Sequence, residues 1–289
     1  VPPTFLTLGD RRADIRYRAV VMGILNRTPD SFFDKGATYD FDAFLHRAEV
    51  LVEEGADILD VGGVKAGPGP EVTEAEELER VIPAIEALHE RFDVPLSVDT
   101  WRSSVARDAY GAGAVVGNDI SGFGDPEYLP AAAAAGATVV ATHIRLGPRI
   151  PDPEPVYDDL VEAVCTFLVD RATRATAFGL TPDRIVLDAG LDLGKTAEQS
   201  LTLLRASWVL ADQGYPLLLS ASNKTFLGKV LNLDINERGP ASLGAAALGV
   251  SLGCRIVRAH DVAGTRHVCD SLAAIERERA EAATTPVGG

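Results

Sequence analysis

One pattern recurs along the chain: a helix-period stretch, a glycine, a short apolar run without alternation, then a polar residue. It appears as EEGADILDVGG (53–63), YGAGAVVGND (110–119), AAGATVVATH (134–143), AFGLTPDRIVLDAG (177–190), DQGYPLLLSAS (212–222) and SLGCRIVRAH (251–260). The glycine suits the left-handed residue that ends a helix. A run apolar at every position is buried on both faces, as in a parallel sheet. The closing polar residue marks the carboxyl end of the strand, where the chain returns to solvent. AVVMGILN (19–26) and VPLSVDT (94–100) bring the set to eight, and FDAFLHRAEVLVEE (41–54) and EAEELERVIPAIEALHERF (74–92) read as amphipathic helices between strands.

Eight strand–helix units without a long linker predict an α/β fold, a single-domain (β/α)8 TIM barrel over residues 18–280. Residues 1–17 read as an N-terminal extension and 281–289 as a disordered tail, with fraying from about Glu276. The alternative is a doubly wound open sheet. It would need a G-x-G-x-x-G loop after the first strand, and GILNRTPDSFF does not supply one.

The length of 289 residues fits one such barrel, and a hydrophobic fraction of 46% fits a sizeable core. The net charge of −15 without a basic stripe argues against nucleic acid and anionic membranes as partners, while leaving room for a local cationic pocket. Cys165, Cys254 and Cys269 lie far apart, so neither a disulfide framework nor a zinc site is expected, and a reducing cytoplasm is. VPPTFLTLGD lacks the features of a signal peptide, and no apolar run approaches the ~18 residues of a membrane span.

In a barrel, side chains at the carboxyl ends of all strands meet at one mouth. The candidates are Asn26, Asp60, Asp99, Asn118, His143, Asp188, Ser222 with Lys224, and Arg258 with His260. One such aspartate alone is more often a helix cap. Together, carboxylates, carboxamides and a lysine suit a planar heterocycle with alternating donors and acceptors, such as a 2-amino-4-oxopyrimidine ring. Arg258, His260 and Asn26 suit a phosphate, directly or through Mg2+. GLDLGKT (190–196) imitates a phosphate loop, but Ala189 occupies the position of the required first glycine. His143 reads equally as a packed or a functional histidine. His46, His89 and His267 read as surface or capping residues, Trp101 and Trp208 as packing, and Asp34 and Lys35 as a solvated loop.

MGILNRTPDSFFDKG (22–36) resembles the first signature of dihydropteroate synthases. DVGG (60–63), SVDT (97–100), NDISG (118–122), His143, D-x-G-x-x-x-GK (188–195), S-x-K-x-F-x-G (222–228) and R-x-HDV (258–262) follow in the family's order. The resemblance implies a (β/α)8 barrel that joins 6-hydroxymethyl-7,8-dihydropterin pyrophosphate to p-aminobenzoate and releases pyrophosphate. It assigns the pterin to Asp99, Asn118, Asp188 and Lys224. It assigns the pyrophosphate to Asn26, Arg258 and His260, with Mg2+ at or near Asn26. Lys224, Arg258 and His260 would be the catalytic groups, Ser222 would face the second substrate, and a homodimer is expected.

The departures are as informative. The family loop Gly-Gly-Glu-Ser-Thr-Arg-Pro-Gly reads here Gly62-Gly63-Val64-Lys65-Ala66-Gly67-Pro68-Gly69. Ala66 replaces a threonine that helps seat p-aminobenzoate, and Gly67 an arginine that contacts pyrophosphate. Asn223 stands for an arginine, Leu193 for a phenylalanine and Asp192 for a glycine. This combination is most similar to the diverged second dihydropteroate synthase paralogue of actinobacteria, which lacks ordinary synthase activity. Three expectations follow. The chain binds a pterin pyrophosphate with impaired turnover or another, unknown nucleophile; or it is a working synthase in which Lys65 compensates; or it is a non-enzymatic partner of folate enzymes.

Overall fold

The structure is a computed structural model that describes residues 3–27, 41–67 and 69–284. The hairpin β1 (Phe5–Leu8) and β2 (Arg11–Asp14) comes first, then β3 (Val20–Asn26), α1 (Phe41–Glu53), β4 (Ile58–Gly62), α2 (Glu74–Arg91) and β5 (Leu96–Asp99). Next come α3 (Ser103–Gly111), β6 (Val116–Asp119), α4 (Tyr128–Ala135), β7 (Thr138–Thr142), α5 (Leu160–Ala177) and β8 (Ile185–Asp188). The chain continues with α6 (Ala197–Arg205), α7 (Ser207–Ala211), β9 (Leu217–Leu219), α8 (Thr225–Leu231), α9 (Gly239–Ser251), β10 (Ile256–Ala259) and α10 (Val262–Thr284).

Strands β3 to β10 close a parallel barrel in the order β10-β3-β4-β5-β6-β7-β8-β9. Their outward side chains pack under the helices: Leu59, Val61 and Val98 under α1 and α2, Val139 and Leu187 under α5. The inward layer at the amino end is apolar, with Met22, Ile58, Val116, Val140, Val186, Leu218 and Ile256 in one cluster. Side chains on one face of a strand recur every second residue. Two residues further along, the same inward face carries Asp60, Asn118, Thr142, Asp188, Ser220 and Arg258. The strand period therefore moves the barrel interior from hydrocarbon to polar chemistry in one step.

Within residues 1–17, read as an extension, the described stretch from residue 3 contributes to the core. β1 and β2 pair antiparallel around Gly9, whose φ of 66° suits the tight turn. Leu6, Leu8 and Ile15 join the inward apolar layer and plug the amino end of the barrel. Thr7 hydrogen-bonds Asp183, and Arg184 Nη2 donates to the carbonyl of Gly9 at 3.0 Å. Each strand of the hairpin spans only four residues, too short for its alternation to stand out in the sequence. At the other end α10 continues to Thr284, past the expected fraying point at Glu276. The rest of the tail lies outside the described residues, as do Asp34, Lys35 and Pro68. Among the described residues no helix is long and apolar enough to cross a membrane.

Candidate active site

A cavity of about 1130 Å3 opens at the carboxyl end of the barrel, with Asn26, Lys65, Asp99, Lys224, Arg258 and His260 among its lining residues. Behind it stands Asp60, fully buried on β4. Its carboxylate accepts from side chains of three other strands, β5, β6 and β10: Ser97 Oγ at 2.5 Å, Asn118 Nδ2 at 3.1 Å and Arg258 Nε at 2.6 Å. Arg258 Nη2 reaches on to Asp99 Oδ2 at 2.8 Å. The five residues form one braced network. A buried carboxylate needs such partners, since an unpaired one would cost several kcal/mol.

At the cavity wall Asp99 is largely withdrawn from water, and that desolvation outweighs Arg258 and pushes its carboxyl up to about 7, with Asp60 and Glu77 adding to the rise and Lys224 opposing it. Burial also raises Asp188, against the N–H of Gly190 (2.8 Å to Oδ1) and the charge of Lys224. Lys224 is lowered by burial, with Asp188 and Asp192 pulling the other way, and its Nζ donates to the carbonyl of Leu191 at 2.9 Å. Burial works against the charge on Arg258, but Asp60 and Asp99 hold it above the usual arginine range.

The sequence placed Arg258 and His260 with the leaving group. The structure binds the Nε and Nη2 of Arg258 to Asp60 and Asp99, so the residue belongs first to the carboxylate network. His260 sits at the rim. Desolvation of its ring, then the charges of Arg258, Arg47 and Lys224, push it down to about 4, so the imidazole is neutral near pH 7. Ser222 Oγ meets His260 Nδ1 at 3.0 Å and accepts from the His260 N–H at 3.1 Å. Arg47 on α1 also lines the cavity, and its Nη2 donates to the carbonyl of His260 at 2.9 Å. Nothing in the sequence distinguished this arginine from any other on a polar helix face.

His143 is not at the mouth. Thr142 takes the inward position on β7, so His143, one residue on, turns away and packs edge-on to Phe167 with ring centroids 4.9 Å apart. Burial, then Lys195, push its imidazole down to about 3. Lys195, the lysine of the false phosphate loop, turns inward: Nζ lies 2.9 Å from His143 Nδ1 and donates to the carbonyls of Gly190 and Leu193 at 2.9 Å. Gly190 has φ 64°, and a Cβ there would lie 2.0 Å from the carbonyl oxygen of His143. Trp208, read as a packing residue, is 61% exposed on α7: five residues make too short a helix to bury all its sides.

The loop after β4 brings Lys65, Ala66 and Gly67 to the cavity wall. Its surroundings are tied by arginines. Arg80 Nη1 donates to the carbonyl of Gly63 at 3.0 Å, Arg149 Nη2 to Pro70 at 2.6 Å and Arg102 Nη2 to Val72 at 2.7 Å. A Cβ on Gly67 would meet nothing within 4 Å, and its φ is not positive. Neither space nor backbone conformation calls for glycine there.

A TIM barrel with a carboxylate, carboxamide and lysine set at its mouth defines a protein built to hold a polar heterocycle. Residues 22–260 match the family described as pterin binding enzyme. The chain is 41% identical over 278 residues to the dihydropteroate synthase of Synechocystis sp., covering 95% of this chain and 96% of that one. It is also 41% identical over 274 residues to the inactive dihydropteroate synthase 2 of Mycobacterium leprae, covering 91% and 92%. The structure of Burkholderia cenocepacia dihydropteroate synthase complexed with 7,8-dihydropteroate superimposes with a TM-score of 0.86 at 37% identity, covering 97% of this chain and 99% of that one. The chain belongs to the dihydropteroate synthase family of pterin-binding enzymes.

Proposed function

We propose that this chain binds 6-hydroxymethyl-7,8-dihydropterin pyrophosphate and joins it poorly to p-aminobenzoate. The observation that carries this reading is the contrast between a braced pterin set and a stripped loop, in which Ala66 and Gly67 present no hydroxyl and no guanidinium to the cavity. Asn118 commits its Nδ2 to Asp60 and so offers its carbonyl oxygen to a ligand. With Asp99 and Asp188 it would accept from the N–H and NH2 groups of the pterin, while Lys224 would donate to the ring carbonyl.

In the transfer, the bond between the pterin methylene carbon and the pyrophosphate oxygen breaks, and pyrophosphate leaves with the electron pair. The amine lone pair forms the new C–N bond, and the surplus amine proton passes to water. Pyrophosphate would lie by Asn26, Arg47 and the outer edge of Arg258, with neutral His260 as a hydrogen-bonding partner. Among the described residues no group of three or more His, Cys, Asp or Glu suits a metal. Mg2+ fits only as an ion carried largely by the pyrophosphate and water, with the Asn26 amide oxygen as one ligand. It would supply charge neutralisation for the leaving group. Loss of one charge-assisted contact at a transition state costs about 2–4 kcal/mol, so turnover ~10²-fold below an ordinary synthase is expected. Pyrophosphate release with p-aminobenzoate tests this, and a rate equal to that of an ordinary synthase refutes it.

A second reading, a working synthase in which Lys65 compensates, draws support from the equal identity to an active and an inactive relative. Growth rescue of a synthase-deficient strain, lost in Lys65→Ala, would favour it. A homodimer through α9, where Leu248 is 44% exposed, accompanies either reading and is measured by sedimentation.

A further inference from the structure

The wall of the cavity formed by the loop after β8 and the start of α8 carries a carboxylate in an unusual setting. Asp192 lines the cavity with φ at 66°, in the left-handed region that side-chain-bearing residues seldom adopt. It is pinned there from both sides. Its Oδ2 accepts from the backbone N–H of Thr225 at 2.6 Å and of Phe226 at 3.2 Å, and its own N–H donates to Ser200 Oγ at 3.1 Å. The next donor along the wall, the N–H of Asn223, is taken by Ser242 Oγ at 3.0 Å.

The cations nearby each donate to a backbone carbonyl, and the charge of Lys224 is in addition shared between Asp188 and Asp192. Arg238 Nη1 donates to the carbonyl of Asn223 at 3.1 Å, Arg47 to that of His260 at 2.9 Å and Lys224 to that of Leu191 at 2.9 Å. What this wall offers a ligand besides Asp192 is hydroxyl and amide: Ser222, Asn223, Thr225, Asn236 and Ser242. A negative ligand here would meet a fixed negative charge, and would find that charge already holding two backbone donors it could have used. An uncharged ligand would lose neither.

We propose that Asp192 is a specificity-determining residue that makes this end of the cavity reject carboxylates, so that the nucleophile this chain accepts is an uncharged, hydrogen-bonding amine. The proposal rests on the reading that the inner cavity holds a pterin and that Ser222, which lines the same cavity as Asp192, faces the second substrate. It gives that reading's poor use of p-aminobenzoate a cause separate from the stripped loop across the cavity.

The test is calorimetry on the full chain, first with 6-hydroxymethylpterin and pyrophosphate, then, on the loaded protein, with p-aminobenzoate and with p-aminobenzamide. A charge-assisted interaction gained or lost is worth about tenfold or more in affinity, so the amide is expected to bind the wild type ~10-fold more tightly than the acid. Asp192→Asn removes the charge and keeps an acceptor for Thr225 and Phe226, and asparagine tolerates the left-handed backbone. Asp192→Gly also frees the two N–H groups. The preference for the amide should therefore shrink in Asp192→Asn and shrink further, or invert, in Asp192→Gly. Each ratio is taken within one variant, which cancels general damage to the fold. The proposal is overturned by a wild type that binds the acid as well as the amide, by one that binds neither once loaded, or by a ratio unchanged in both variants. A failure of the first titration is a different result: it removes the pterin reading itself.

Discussion

Asp60 shows how much one buried carboxylate can organise. It is not exposed at all, so it touches no ligand, yet it sets Arg258 and holds the Nδ2 of the Asn118 amide. Removing one partner of a buried ion pair costs about 3–5 kcal/mol, because the other charge is left stranded. Asp60→Ala is therefore expected to lower the urea unfolding free energy by that amount, and Ser97→Ala, which strands only one oxygen, by about 1–3 kcal/mol. Asp99 carries a pH prediction. Its carboxyl lies at about 7 in the fold against an ordinary 3.8. The fold thus favours the protonated form, so its contribution to stability is full below about pH 4 and is lost as the pH rises through 7. Pterin binding runs the opposite way, since ligand N–H groups need the carboxylate. Affinity should weaken as the pH falls below about 7, by up to ~10-fold per pH unit. Calorimetry across pH 5.5–8.5 (~3 units) checks it, and an equally steep profile in Asp99→Asn would remove Asp99 as the cause.

At the scale of elements, strands were the legible part. Apolar runs with a polar end residue placed all eight barrel strands, and Asp99, Asn118, Asp188 and Arg258 followed as strand-end chemistry. What the pattern could not resolve was a difference of one residue. Thr142 and His143 are both polar strand-end residues, and only the barrel register turns one inward and the other into the packing around Phe167. Loops were legible only through glycine, and glycine means different things in different loops. A Cβ on Gly190 would collide with the His143 carbonyl, whereas one on Gly67 would meet nothing. Gly190→Ala should cost more than about 2 kcal/mol through strain and displacement of the loop that Lys195 fastens. Gly67→Ala should stay within about 0.5 kcal/mol of wild type. Thermal unfolding of the two variants side by side distinguishes a loop fixed by its backbone from one whose glycine is optional.

The whole molecule separates its two ends by function, and the hairpin makes that separation testable. The polar network faces the carboxyl-end mouth, while β1, β2 and Ile15 seal the amino end over Met22, Ile58, Val116 and their neighbours. The apolar layer lies between them, so a change at the plug reaches the site only through the stability of the barrel. Leu6 is 1% exposed within that plug. Truncating a buried leucine costs about 2–5 kcal/mol, from lost burial and from the cavity left behind. Leu6→Ala is expected to lower the unfolding free energy by that amount, with the dissociation constant for a pterin ligand unchanged within about twofold at temperatures where the variant is folded. Such a pair of results would assign residues 5–15 to holding the barrel closed. A pterin affinity that falls in step with stability would mean instead that the plug and the mouth are coupled through the strands, and that the hairpin belongs to the binding machinery despite standing at the far end from it.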